Sequence, residues 1–141
     1  MTVSMPPPAV YIVDDDAAVR DSVAILLRLH GYAPTSFATG EDFLAAIDKD
    51  DLRTGGVILL DLRLPGISGA QVQTELAARG IRWPVVMLTA HGDVTSARNA
   101  LKAGASDFIE KPIQENVLLA ALAHGASQQR ADDSDVARKT L

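Results

Sequence analysis

The sequence predicts an α/β fold with a single doubly wound, five-stranded parallel sheet flanked by five helices. Short apolar runs alternate along the chain with segments whose apolar residues recur at helical spacing. Three of the helical segments end in a glycine just before the chain turns into a strand, at Gly31, Gly80 and Gly104. Residues 57–60 are apolar without interruption, which is typical of a parallel strand covered on both faces.

Size and composition indicate one folded domain and exclude several classes of protein. The chain has 141 residues, of which 48% are hydrophobic, and this content argues against disorder. The net charge is −5, so we expect no direct nucleic-acid binding by this chain. The absence of cysteine excludes disulfides and thiolate metal sites. The sequence has neither a signal peptide nor a membrane-spanning apolar run, so a cytoplasmic protein without membrane contacts is expected.

The first half of the chain is predicted to contain two strand–helix units. Residues 1–8 end in three prolines and should form an extended lead-in to a folded domain of residues 9–124. Residues 9–13 form the first strand, and a helix follows. Residues 35–37 indicate a weak second strand, and Thr39 is placed to cap the next helix. The apolar faces of these helices contain Val19, Val23, Leu26 and Leu27 in the first, and Phe43, Leu44 and Ile47 in the second.

Three more units complete the predicted domain. Strands are expected at residues 56–61, 84–88 and 107–109. The third helix should begin at Ser68, because Gln71 follows three residues later as in a capping box. The apolar faces of the last three helices contain Val72 and Leu76, then Val94, Ala97 and Leu101, and then Val117, Leu118, Ala121 and Leu122.

The C-terminal residues differ in composition from the rest. Residues 125–141 mix acids and bases with small side chains, and large apolar residues are almost absent. This composition is typical of a linker or a frayed helix, so a linker-like tail outside the core is expected.

Polar residues that could carry chemistry follow four of the predicted strands. The first strand ends at residues 14–16, which are all aspartate, the third at Asp61, the fourth at Thr89, and the fifth just before Lys111. The carboxyl ends of parallel strands meet at one edge of the sheet, where such folds bind ligands. Clustered carboxylates repel one another unless a cation lies among them, and oxygen ligands suit Mg²⁺. This combination indicates phosphoryl transfer with Asp61 as the nucleophile.

Each of these residues also has a simpler interpretation when it is considered alone. An aspartate before a helix commonly caps it, which would account for Asp14 and Asp16. Asp61 could serve only to hydrate a strand end, Thr89 could cap a loop, and Lys111 could be an ordinary surface lysine. Coincidence at four separate strand ends is the weaker explanation, so a joint site is preferred.

Four blocks of sequence resemble those of a known family. They are Ile-Val-Asp-Asp-Asp at 12–16, Leu-Asp-Leu-Arg-Leu-Pro-Gly at 60–66, Leu-Thr-Ala at 88–90 and Phe-Ile-Glu-Lys-Pro at 108–112. In order and content they are similar to the receiver domain of two-component response regulators, and the resemblance covers residues 9–124. The segments after Thr89 and before Lys111 are most similar to the FixJ type, with the NtrC type next. The resemblance implies a flavodoxin-like fold of the receiver type.

The resemblance also implies a role for the residues at the strand ends. Asp61 would accept a phosphoryl group from a sensor histidine kinase. Asp15 and Asp61 would bind Mg²⁺ directly, together with the backbone carbonyl of Arg63, whereas Asp14 would act partly through water. Lys111 would then pair with the phosphoryl group.

Two further residues would form the switch of such a receiver. Thr89 would turn toward the phosphoryl group after transfer, and Phe108 would rotate inward with it. Lys111–Pro112 resembles the cis peptide of the family, although a sequence does not show the isomer. The switch would change the face formed by the fourth helix and the fifth strand, and a weak homodimer is expected only after phosphorylation. On that face the sequence predicts small and polar exposed side chains, at Ser96, Asn99 and Ala103.

The implied function is phosphorelay signalling, with no catalysis beyond the domain's own phosphorylation and dephosphorylation. FixJ-type regulators join the receiver to a DNA-binding output domain. These residues could be a stand-alone receiver or an excised one, and the linker-like tail favours an excised receiver of a transcription regulator. Two other functions stay open. A phosphatase of the haloacid dehalogenase type has a second acid two residues after its nucleophile, where this chain has Arg63. A pseudo-receiver lacks the acid pair or the acceptor, whereas this chain has both.

Overall fold

Five strands alternate with five helices in the computed structural model, which describes residues 6–52 and 55–139, with side chains up to residue 129. The strands are β1 (Ala9–Val13), β2 (Ala33–Phe37), β3 (Val57–Asp61), β4 (Val85–Thr89) and β5 (Asp107–Glu110). The helices are α1 (Ala17–Leu29), α2 (Gly40–Asp48), α3 (Gly69–Ala78), α4 (Val94–Lys102) and α5 (Glu115–Lys139). Within these described ranges, no helix is long and apolar enough to cross a membrane.

The strands form one parallel sheet in the order β2-β1-β3-β4-β5. The chain moves outward from β1 to β2, returns to β3 on the other side of β1, and continues in that direction to β5. The order therefore reverses between β1 and β3, which is where open α/β sheets have their ligand crevice. The predicted doubly wound fold is confirmed.

The core has two layers, one on each face of the sheet. Alternate residues of the central strands point to opposite faces, so β1, β3 and β4 are buried throughout, as their continuous apolar runs predicted. One layer packs against α2 and α3 and contains Tyr11, Val13, Phe43, Ile58, Leu60, Val72 and Met87. The other packs against α1 and α5 and contains Val10, Ile12, Leu27, Leu59, Leu88, Leu118 and Leu122.

Local hydrogen bonds and glycines define the helix ends as the sequence predicted. The Thr39 hydroxyl accepts from the Asp42 N–H at the start of α2. Ser68 and Gln71 form the expected capping box of α3, with side chain and backbone paired in both directions. Gly31 ends α1 with a φ of 83°, a backbone conformation that strongly favours glycine.

The outer surfaces of α4 and α5 differ from the predicted ones. Val94 and Leu101 are 52% and 38% exposed, and α4 is instead buried through Ala97 and Ala100. Val117 of α5 is exposed as well. Small side chains let α4 lie close to its neighbours, and the bulkier apolar residues face outward. The predicted inward positions of these three residues were wrong. Asn99 and Ala103 are exposed as expected, but α4 also exposes the two large apolar residues Val94 and Leu101.

The last helix continues well beyond residue 124, where the sequence predicted that the folded domain ends. It runs to Lys139, and Gly125 is buried. A side chain at Gly125 would come within 3.2 Å of Pro84 Cβ, so the missing side chain allows α5 to stay close to the sheet. Residues 1–5 of the expected lead-in and residues 140–141 of the expected tail lie outside the described residues.

Candidate functional site

Asp61 is the last residue of β3, at the carboxyl edge of the sheet, and only 6% of it is exposed. The sheet fixes its backbone, since Asp61 is opposite Leu88 and the next N–H, that of Leu62, donates to the Leu88 carbonyl at 3.0 Å. Its two carboxylate oxygens have different partners. Oδ1 accepts from the Arg63 backbone N–H at 3.0 Å, and Oδ2 accepts from Lys111 Nζ at 2.9 Å. The carboxylate therefore has a defined orientation.

Three aspartates come together beside this carboxylate. Asp14, Asp15 and Asp61 each offer one carboxylate oxygen, and these oxygens all lie within 4.8 Å of one another. Asp14 and Asp61 are buried, whereas Asp15 is exposed. A cluster of oxygen ligands that is open to water on one side suits Mg²⁺, which retains several waters when it binds. The residues therefore fit the metal expected from the sequence, and the carbonyl of Arg63 stays a prediction as a further ligand.

Asp14 is held from two directions. Its Oδ1 accepts from the Asp16 N–H at 2.9 Å, and its backbone carbonyl accepts from Arg20 Nη1 at 2.8 Å. Asp16 itself points away from the cluster, because its carboxylate caps α1 through the N–H groups of Ala18 and Val19. The simpler interpretation was thus correct for Asp16 but not for Asp14. Arg20 was missed by the sequence analysis, and its place in the first turn of α1 was the only available signal.

Lys111 bridges two of the carboxylates. Its Nζ lies 2.8 Å from Asp14 Oδ2 and 2.9 Å from Asp61 Oδ2. Burial lowers the pKa of Lys111, but hydrogen bonds and attraction from these two aspartates outweigh burial, and the net effect raises its pKa. The Lys111 backbone N–H donates to the Thr89 carbonyl at 2.8 Å, which ties the lysine to the end of β4. The Lys111–Pro112 peptide bond is cis, in agreement with the resemblance.

Burial acts on the pKa of Asp61 in the opposite direction from its action on Lys111. Removal from water raises the pKa of its carboxyl group, and the nearby charge of Asp14 raises it further. The hydrogen bonds from Lys111 and Arg63 lower it but do not cancel the effect of burial. An ionised Asp61 is therefore held at a cost in free energy, which favours a carboxylate that reacts or binds a cation.

Thr89 ends β4 beside the cluster and is 1% exposed. Its Oγ1 is buried and has no hydrogen-bond partner among the described residues. A buried hydroxyl without a partner costs about 1–3 kcal/mol, so this side chain is available for a new acceptor. Phe108 of β5 is opposite Met87 of β4 and packs, partly buried, against the core.

Other charged residues lie around the rim of the site. Arg63, two residues after Asp61, extends its side chain to Asp93, with Nη2 3.4 Å from Oδ2. Hydrogen bonding by Ser96, with a contribution from Arg63, holds the pKa of Asp93 below its ordinary value. This ion pair connects the loop after β3 with the start of α4, and nothing in the sequence signalled it.

The geometry can support nucleophilic phosphoryl transfer. It combines an oriented carboxylate, an acidic cluster that fits Mg²⁺, an ammonium group, and a free hydroxyl on the next strand. The second acid of a haloacid dehalogenase-type phosphatase is missing, because that position is Arg63 and its side chain points to Asp93.

Comparison with known proteins agrees with this geometry. Residues 10–123 match the response regulator receiver domain family. The chain is 42% identical over 130 residues to the transcriptional regulatory protein FixJ of Azorhizobium caulinodans, covering 89% of this chain and 60% of the relative. It is 40% identical over 127 residues to FixJ of Rhizobium meliloti, covering 90% of this chain and 61% of that protein. The chain thus spans about three fifths of the length of these curated relatives.

Solved structures give the same result. The crystal structure of FixJ-N is 40% identical and superimposes with a TM-score of 0.79, covering 87% of this chain and 96% of that one. Full-length FixJ from B. japonicum is 34% identical with a TM-score of 0.81, covering 96% of this chain and 66% of that one. NtrX from Brucella abortus, solved in complex with ADP, is 31% identical with a TM-score of 0.77, covering 92% of this chain and 30% of that one.

Proposed function

The chain belongs to the response regulator receiver domain family, and from this premise we propose that Asp61 accepts a phosphoryl group from a sensor histidine kinase. The observation that carries the proposal is the pairing of Asp61 with Lys111 inside a cluster of carboxylates at the switch point of the sheet. A buried, oriented carboxylate is what a nucleophile needs, and the family supplies the class of donor.

The proposed step is an in-line displacement at phosphorus. An Asp61 carboxylate oxygen forms a bond to phosphorus while the phosphorus–nitrogen bond of the donor's phosphohistidine breaks, and the leaving imidazole nitrogen keeps the electron pair. Lys111 leaves Asp61 Oδ2 and pairs with a phosphoryl oxygen. Mg²⁺, held by Asp14, Asp15, Asp61 and the Arg63 carbonyl, would neutralise charge on the transferred group.

The proposed output begins at Thr89. A phosphoryl group brings about −1.5 to −2 charges to the end of β3, and the unpartnered Thr89 hydroxyl is a donor near that position. Its movement would open space beside β4, into which the partly buried Phe108 could turn. The affected face of α4 and β5 exposes Val94 and Leu101, which suits contact with a second copy of the chain after phosphorylation.

The wider role follows from the relatives. Both FixJ proteins are transcriptional regulatory proteins, so we propose that this domain controls a DNA-binding output domain that these 141 residues do not contain. In this proposal the domain is not an enzyme, apart from its own phosphorylation and dephosphorylation, and it makes no direct contact with DNA. We also propose a cytoplasmic location, on the strength of the family alone.

Intact mass spectrometry tests the proposed function directly. After incubation with acetyl phosphate and Mg²⁺, the protein should gain the mass of one phosphoryl group, and omission of the metal should abolish the gain. Hydrolysis of a phosphomonoester with turnover would instead support the phosphatase. A protein that stays unmodified under all conditions would support a pseudo-receiver.

A further inference from the structure

Gly69, the first residue of α3, lies directly against the end of β3. A Cβ atom added there would be 2.4 Å from the backbone oxygen of Asp61 and 2.9 Å from the Cα of Leu62. Both atoms are backbone, so neither can rotate away as a side chain would. The Gly69 N–H also donates to the Leu62 carbonyl at 3.0 Å. The start of α3 is therefore pressed against the residue that carries the carboxylate and its immediate successor.

The reason for a glycine here is space and not backbone conformation. Gly69 does not have a positive φ, in contrast to Gly66 in the preceding loop. Any L-residue could adopt its helical backbone. A methyl group, however, would have to move from 2.4 Å to an ordinary contact distance of 3.4 Å from the Asp61 oxygen, which requires a separation of about 1 Å.

We propose that Gly69 is a positioning residue for Asp61. Its missing side chain lets the N-terminus of α3 hold the end of β3 in the place where the Asp61 carboxylate reaches Lys111 and the acidic cluster. The inference rests on the proposed function, since it concerns the reactivity of the same carboxylate. A displacement of about 1 Å at a reacting group can cost about 10²-fold in rate.

Gly40 provides a matched control within the same chain. It is the first residue of α2, as Gly69 is of α3, and both are buried. A Cβ at Gly40 would be 2.5 Å from Val72 Cγ2 and 3.1 Å from Ile67 Cγ1. The clash is therefore similar in severity but falls on side chains and not on the backbone of Asp61. Gly40→Ala should disturb packing without moving the carboxylate.

The test compares wild type, Gly69→Ala and Gly40→Ala by intact mass after incubation with acetyl phosphate. Rates are measured over a Mg²⁺ titration well below each melting temperature, so that the maximal rate and the apparent Mg²⁺ affinity are separated. We expect Gly69→Ala to lose about 10²-fold in maximal rate at saturating Mg²⁺, whereas Gly40→Ala stays within about threefold of wild type.

The maximal rates of the two variants decide whether Gly69 positions Asp61. Equal maximal rates for Gly69→Ala and Gly40→Ala would overturn the positioning role, whether both are fast or both are slow. A Gly69→Ala protein that does not fold, when Gly40→Ala does, would also overturn it, because the glycine would then serve the fold. Failure of wild type to become phosphorylated would be a separate result, and it would reject the proposed function itself.

Discussion

The ammonium nitrogen of Lys111 lies 2.9 Å from Asp61 Oδ2, although 50 residues separate the two in sequence. The same nitrogen lies 2.8 Å from Asp14 Oδ2, so one positive charge serves two buried carboxylates. Asp15 offers a third carboxylate oxygen within 4.8 Å of those of Asp14 and Asp61. Among these groups negative charge exceeds positive charge in the free domain, which should affect reactivity, stability and metal binding.

Asp61→Asn should abolish phosphorylation by acetyl phosphate, because an amide cannot form the acyl phosphate. The matched control is Asp16→Asn, which changes a neighbouring aspartate that caps α1 and that asparagine can replace. Intact mass should show one added phosphoryl group on the Asp16 variant and none on the Asp61 variant. Equal labelling of the two would show that Asp61 is not the acceptor.

Asp61→Asn should also raise the stability of the metal-free domain at neutral pH. Burial first, and the charge of Asp14 in addition, raise the pKa of Asp61 above its ordinary 3.8. When folding raises the pKa of a carboxyl group, the folded state is most stable below the pKa that the group has in the unfolded state. It loses stability as the pH rises through the pKa that the group has in the folded state. Asparagine does not ionise, so the variant avoids this loss.

Thermal melting of both proteins in EDTA over a pH series measures this effect. The gain in melting temperature for Asp61→Asn should be present at pH 7 and should shrink as the pH falls toward 3.8. If the gain were independent of pH, or if the variant melted at a lower temperature than wild type at pH 7, ionisation of Asp61 would not be what destabilises the folded domain.

Mg²⁺ should stabilise the wild-type domain by mass action, because the three carboxylates converge only in the folded state. At a hundredfold excess over the dissociation constant the gain is about 2.7 kcal/mol. Asp15→Ala should remove most of this dependence, and it should raise the metal-free melting temperature because one repulsive charge is gone. Differential scanning calorimetry with and without Mg²⁺ checks both effects. A wild-type melting temperature that is the same with and without Mg²⁺ would argue against the metal site.

The strand ends of the site could be predicted because buried parallel strands are continuous apolar runs in the sequence. The apolar run of β3 stops at Asp61, and that of β4 stops at Thr89, so topology alone brings them to one edge. The sequence could not separate Asp14 from Asp16, because both precede a helix. Only the directions of their side chains distinguish them, since Asp14 is buried in the cluster and Asp16 caps α1.

Contacts between distant segments set the other limits of sequence-based prediction. Val94 and Leu101 recur at a spacing that fits a buried helical stripe, but the side of α4 that meets the sheet is determined by tertiary packing through Ala97 and Ala100. The extended part of α5 likewise contacts a segment 73 residues away in sequence, where Gln129 Oε1 accepts from the Gly56 N–H at 3.3 Å. No local pattern near residue 125 signals that partner.

Gln129→Ala should therefore destabilise the domain by about 1 kcal/mol, the usual loss when one partner of a hydrogen bond is removed. The exposed neighbour Gln128 is the matched control, and Gln128→Ala should change the free energy of unfolding very little. Urea denaturation measures both. Gly56 lies at the edge of the sheet opposite Asp61, so phosphorylation rates should be equal in the two variants. Equal stability would show that the end of α5 adds nothing to the fold.

The face formed by α4 and β5 should change when Asp61 is phosphorylated. Phosphorylation should draw the unpartnered hydroxyl of Thr89 toward the new charge, let Phe108 turn inward, and thereby alter the surface that exposes Val94 and Leu101. We expect a weak symmetric dimer that forms only with the phosphoryl mimic beryllofluoride, because the change in this face depends on the charge added at Asp61.

Sedimentation velocity with and without beryllofluoride tests both the surface and the route to it. Thr89→Ala should bind the mimic but stay monomeric, since the donor that transmits the charge is gone. Leu101→Lys should also stay monomeric, whereas Leu29→Lys, which changes an exposed leucine on α1, should dimerise as wild type does. Normal dimerisation of Thr89→Ala would refute the route through this hydroxyl. If Leu29→Lys lost the dimer and Leu101→Lys kept it, the contact would lie on α1. If wild type stayed monomeric with the mimic, the dimer itself would be refuted.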